Sequence, residues 1–139
     1  MAKSEYAKYI ITETGPESRV REKAERLSDK LTYLLHLNDD VVKGAFWVNS
    51  VWFWKGFDEI FVEAHEHPFD EVLTFFGTNP EDPHDLAGEV EFWMGDEKHI
   101  LNKSCMVFVP KGLRHCPLII RRVDRPIFHF STGHTARYS

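Results

Sequence analysis

His65-Glu66-His67-Pro68-Phe69-Asp70-Glu71 sets two imidazoles and a carboxylate at strand spacing. Pro110-Lys111-Gly112-Leu113-Arg114-His115 adds a third imidazole further on. Side chains alternate faces along a strand, so His65 and His67 project together. Glu71 keeps their parity and rejoins them provided that no bulge at Pro68 shifts the strand. His115, on a different strand or at its entrance, closes the set. Three imidazoles and one carboxylate are what a protein needs to hold a divalent transition metal from the wall of a β-barrel.

Outward from this stretch the signals are β. Residues 59–67 and 71–76 read as the strand pair carrying the histidines. Residues 45–54 are nearly continuously apolar, with Trp47, Trp52 and Trp54, which suits a strand covered on both faces. Residues 77–88 are dense in Gly, Pro, Asn and Asp and read as a long loop. Further strands are expected at 89–94, 97–101, 104–109, 116–120 and 126–130, with tight turns at Gly95-Asp96 and Asn102-Lys103. Regular short strands with turn signals mean a sandwich or barrel. Toward the N-terminus, Thr14-Gly15-Pro16-Glu17 has capping-box spacing, and Val20, Ala24, Leu27 and Leu31 recur at helical intervals. These signals predict a helix over 16–31. Tyr9-Ile10-Ile11-Thr12 reads as a short strand.

One hundred and thirty-nine residues fit one domain with a single core. The 14% aromatic content, mainly eleven Phe and four Trp, suits a wide barrel interior or a dimer interface. A formal charge of −5 gives no basic footprint, so neither nucleic acid nor an anionic membrane is an expected partner. No signal-peptide core and no apolar run of spanning length is present, and a soluble, cytoplasmic protein is expected. Two cysteines, Cys105 and Cys116, are too few for a disulfide framework and are expected as buried free thiols.

The two histidine stretches resemble the motifs of the cupin superfamily, G-x5-H-x-H-x3,4-E-x6-G and G-x5-P-x-G-x2-H-x3-N. His65, His67 and Glu71 match the first, and Gly77 closes it one residue early; Pro110, Gly112 and His115 match the second. The leading glycines fall at Glu59 and Ser104, and the final Asn at Ile119, departures that concern turns and packing more than ligation. The resemblance implies an all-β fold, a double-stranded β-helix or jelly-roll barrel over 46–132. A strand/helix extension over 1–45 precedes it and a tail over 133–139 follows. It also implies one divalent metal (Fe, Mn, Ni, Co or Zn) on His65, His67, Glu71 and His115.

Four protein ligands saturate a tetrahedral zinc, whereas an octahedral metal keeps two positions open for substrate. Trp52, Trp54 and Phe75 are candidates to line a substrate pocket. His129 is the acid/base candidate if it faces the cavity, although in Phe128-His129-Phe130 the two Phe are the expected inward pair. Arg121-Arg122 reads as a solvated strand end, and His36, His84, His99 and His134 as surface residues. The expected function is a metal-dependent enzyme acting on a small organic molecule, of dioxygenase, isomerase or lyase type. The alternative is a noncatalytic cupin that binds or senses a small ligand. A homodimer is expected, because the strand at 45–54 and the helix stripe exceed what one small barrel buries.

Overall fold

A computed structural model describes residues 4–138. Among these residues the chain forms one short helix, α1 (Arg21–Arg26), and eight strands. The strands are β1 (Leu31–Leu37), β2 (Trp47–Phe53), β3 (Glu71–Phe76), β4 (Asp85–Met94), β5 (Glu97–Lys103), β6 (Cys105–Val109), β7 (His115–Val123) and β8 (Ile127–Gly133). They build two antiparallel sheets, ordered β1-β2-β8-β3-β6 and β5-β4-β7. No helix among the described residues is long and apolar enough to cross a membrane.

Period-2 patterning places the core between the sheets. Along β2 and β8 buried and half-buried residues alternate without a break, so Val51, Phe53 and Ile127 face inward. Phe75 on β3, Leu86, Val90 and Phe92 on β4, and Leu118 and Ile120 on β7 meet them there. Burying one such side chain contributes about 1.5–3 kcal/mol, which makes this layer the main stabilising feature. Gly77, just past β3, is set by close approach, because a Cβ there would lie 2.1 Å from the Asp85 carbonyl oxygen.

Several sequence expectations are corrected. The helix over 16–31 shrinks to α1 preceded by a 3-10 turn at Ser18–Val20. The apolar stripe is buried as expected at Val20, Leu27 and Leu31, but Leu31 reaches the core as the first residue of β1. Thr14 caps no helix; its hydroxyl exchanges hydrogen bonds with the His36 main chain, at 2.8 and 2.9 Å. Residues 9–12 form no strand, and Ala7–Tyr9 is a 3-10 turn.

On β2 only one face is fully buried, while Val48, Ser50 and Trp52 on the other are half-exposed. Residues 59–67 are not a continuous strand. They follow the open edge of β7 through spaced bonds, from Phe61 N to Leu118 O (2.8 Å) and between His65 and His115 in both directions (3.0 and 2.9 Å). Pro68, which lacks an N–H, ends that pairing. The 77–88 loop is shorter than expected, because β4 begins at Asp85. Asn102-Lys103 is no turn: β5 runs through it, and Ser104 alone carries the chain into β6 and the other sheet.

Candidate metal centre

The two histidine stretches are clipped together by main-chain bonds. Gly112 N–H donates to His67 O (2.9 Å) and Lys111 N–H to the Asp70 carboxylate (2.8 Å). With the His65–His115 pairing, this brings one ligand atom from each of His65, His67, Glu71 and His115 within 4.8 Å of the others. Glu71 arrives from the start of β3 and His115 from the start of β7.

Each ring is turned by a main-chain carbonyl. The Nδ1 atoms meet Glu63 O (2.7 Å, His65), Phe69 O (3.1 Å, His67) and Leu113 O (2.8 Å, His115). A carbonyl only accepts, so Nδ1 carries the proton and Nε2 presents its lone pair. His67 Nε2 lies 2.8 Å and His115 Nε2 3.3 Å from the Glu71 carboxylate. Both nitrogens of His67 therefore face oxygen acceptors, which requires a cation between ring and carboxylate, either a second proton or a metal. His115 Nε2 is buried without a hydrogen-bond partner. An orphaned lone pair beside two others and a carboxylate fits a divalent transition metal.

Electrostatics agree with that fit. Burial pushes the Glu71 carboxyl up, but the His115 and His67 rings beside it more than offset it and hold it below the ordinary carboxylate range. Burial also lowers the half-buried His65, with repulsion from His115 and His67 adding to it, which keeps the ring neutral for ligation.

The ends of the described chain complete the walls. The Tyr138 hydroxyl donates to His65 Nε2 at 2.7 Å. Its ring packs on Trp47, with centroids 4.9 Å apart, and lies 4.0 Å from the Arg19 guanidinium. Buried Glu17 accepts from Trp47 Nε1 and from Arg19 Nε. His67 stacks on Phe69 at 4.0 Å, and Phe69 fills the space that a side chain at Gly133 would need, since a Cβ there would lie 2.5 Å from its ring.

A cavity of about 80 Å³ opens beside the cluster, touching His65, Glu71 and His115 together with Asn49, His129 and Ser131. It is far below the roughly 300–1,000 Å³ of a site for a drug-sized molecule.

His129 faces this cavity, and Phe128 and Phe130 lie on the other face of β8. The expected parity was thus reversed, because Ile127 and Ser131 take the inward positions. Burial pushes the His129 ring down to about 4. Trp52 and Trp54 are outside the cavity; they stack on each other at 5.3 Å on the outer face, with Trp54 exposed. Phe75 is fully buried but stands behind His129, stacked on it at 4.6 Å. Cys116 has φ +70, which breaks strand alternation and turns it inward beside His115; burial pushes its thiol far up. Both cysteines are free, Cys105 only half-buried. Asn49, Tyr138 and Arg19 escaped the sequence reading. Strict alternation from Val51 would have turned Asn49 inward, whereas no periodic signal marks Tyr138 or Arg19.

Solved structures with this architecture are recognisable. An oxalate oxidase in complex with the substrate analogue glycolate matches with 13% identity over 79% of this chain and 53% of that one, TM-score 0.53. A predicted oxalate decarboxylase from Thermotoga maritima matches with 12% identity over 76% and 80%, TM-score 0.52. The cupin domain of Schizosaccharomyces pombe Cnp3 matches with 13% identity over 76% and 64%, TM-score 0.50. The fold is that of the cupins. At such identities the likeness concerns the cupin fold alone. The DMSP lyase DddQ from Ruegeria pomeroyi DSS-3 is 25% identical over 68% of this chain, with TM-score 0.43, and the chain spans only 41% of that lyase. No family model and no curated protein matches the sequence.

Proposed function

We propose that this cupin holds one divalent transition metal (Fe, Mn, Co, Ni or Zn) on His65, His67, Glu71 and His115 and is an enzyme acting on a small organic molecule. Dioxygenase-type chemistry is the leading reading, with isomerase or lyase chemistry beside it. The observation that carries the proposal is the orphaned Nε2 of buried His115, set beside two further Nε2 lone pairs and Glu71. A metal bound there would supply Lewis acidity and open coordination positions. The protein's own groups orient the three rings, keep Glu71 ionised, and limit the cavity to small ligands.

A noncatalytic ligand-binding or sensing role is the second reading, and His129 favours it. A buried imidazole titrating at about 4 is neutral near pH 7, so it accepts hydrogen bonds but delivers no proton. The free cysteines suit the reducing cytoplasm proposed for the protein.

Metal content is the direct test. Protein purified without chelator or nickel resin should carry about one Fe, Mn, Co, Ni or Zn per chain by elemental mass spectrometry. Oxygen uptake during substrate screening then separates the dioxygenase reading from the others. An empty protein that also fails reconstitution would overturn the metal proposal.

We further propose a homodimer formed through the outer face of the five-stranded sheet. Outward residues there include Trp52, Phe128, Phe130, Met106 and Phe108, with no charged residue among the outward positions of β2, β8, β3 and β6. An uncharged apolar face of this kind is compatible with a second copy of itself in an isologous pair. Light scattering should give twice the 16.3 kDa chain mass, and Phe108→Glu should return it to the monomer. A wild-type monomer at high concentration would refute the pairing.

A further inference from the structure

Below the histidine cluster the barrel carries a polar layer that packing alone does not require. Strand β8 pairs with β2 on one side and β3 on the other. This sets Glu71 level with Gly133, Ser131 between Asn49 and Leu73, and His129 between Val51 and Phe75. Two residues advance a strand by roughly 7 Å. Asn49 and Ser131 therefore lie about one such step below the level of Glu71, and His129 about two. Asn49, Ser131 and His129 are 7%, 5% and 4% exposed, and all three line the same cavity as the cluster.

Two of these groups are acceptors without donors. Asn49 Oδ1 is buried and makes no hydrogen bond among the described residues. His129 Nδ1 lies 2.7 Å from the Thr74 carbonyl oxygen; its proton is therefore on Nδ1, and the Nε2 lone pair is left for the cavity. Burying unsatisfied acceptors is unfavourable, and a site needing only bulk would carry apolar residues such as their neighbours Val51 and Leu73. Arg19 and Lys23 touch the same cavity and supply positive charge near its walls.

We propose that this layer is a substrate subsite for the hydroxyl of a short hydroxycarboxylate, whose proton goes to His129 Nε2 and whose oxygen accepts from the Asn49 amide N–H, its carboxylate lying at the metal centre. The proposal rests on the metal reading for the carboxylate end only. The cavity volume and the step of about 7 Å limit the ligand to a few carbons. In this arrangement His129 works as a neutral acceptor and Asn49 fixes the depth of the hydroxyl, so ligands of equal length without a donor are discriminated against.

The test compares 3-hydroxypropanoate with propanoate by calorimetric titration of Zn²⁺-loaded protein. The hydroxy acid should bind roughly tenfold more tightly. That preference should largely disappear in Asn49→Leu and in His129→Leu, while propanoate affinity stays near wild type. Equal affinity of the two probes for wild type would overturn the subsite, since water alone would then fill the layer as well. Nitrogen NMR of the wild type, with and without Zn²⁺, guards against misfolded variants: only the hydroxy acid should move the His129 Nε2 and Asn49 amide resonances. Movement in a protein that takes up no Zn²⁺ would sink the metal reading and leave the subsite standing. Zn²⁺ uptake with no movement would do the reverse.

Discussion

His67→Ala should weaken divalent-metal binding by more than the roughly 10–100-fold that loss of an outer-shell partner costs, and His115→Ala should match it. Both rings are almost wholly buried and aim Nε2 at the Glu71 carboxylate. At a free metal concentration a thousand times the dissociation constant, wild type should gain about 4 kcal/mol of folding stability. Neither variant should show that gain at the same concentration. Removing His67 also leaves Glu71 without its 2.8 Å partner, so the metal-free variant is itself weakened. The decisive quantity is therefore the rise in unfolding temperature on adding Zn²⁺, read with metal content per chain. Far-UV circular dichroism should stay close to wild type, since the bonds joining residues 65 and 115 are main-chain bonds. Full metal occupancy in both variants would remove these residues from the ligand set.

The second large effect concerns pH and His129. Burial lowers this ring from 6.5 to about 4, with its bond to Thr74 O a smaller opposing influence. Its folded-state value lies below its unfolded value, so its contribution to stability is complete above pH 6.5. The contribution is lost as pH falls toward 4, where the unfolded chain binds a proton that the folded chain refuses. At about 1.4 kcal/mol per pH unit the loss approaches roughly 3 kcal/mol. His65, also lowered by burial, contributes in the same window, whereas Glu71, lowered from 4.5, acts from about that pH downward, at the acid end of the window. Urea unfolding of metal-free protein between pH 7.5 and 4.5 should therefore show a steep decline in wild type and a flatter one in His129→Leu. Parallel curves for the two proteins would show that His129 does not titrate as a buried neutral group.

The clustering of His65, His67, Glu71 and His115 and the barrel were legible in the sequence because both rest on short-range rules. Spacing and parity suffice to group His65, His67 and Glu71, and the second stretch adds His115. That grouping holds in space even though residues 59–67 are not a regular strand, since spaced bonds to β7 replace the continuous ladder. The residues lining the cavity were harder to read. Trp52 and Trp54 looked like pocket walls on size and apolarity, yet parity sends them to the outer face of β2. His129 was misjudged for the opposite reason, because apolarity favoured its Phe neighbours while Ile127 and Ser131 held the inward register. Tyr138 and Arg19 meet the site only through tertiary folding, and their local sequence has no period to betray it. The helix was overextended because its apolar stripe runs on into Leu31, which is buried from a strand.

One feature of the topology bears on how the protein is made. β8, the last of the described strands to be synthesised, lies in the middle of its sheet, flanked by β2 and β3. While a ribosome is still adding residues 127–133, β2 and β3 have no partner between them and Glu71 has no Gly133 opposite. The cavity beside the candidate metal centre therefore closes only once β8 has been translated, and a stalled nascent chain would display the four clustered residues without the wall that His129 and Ser131 supply.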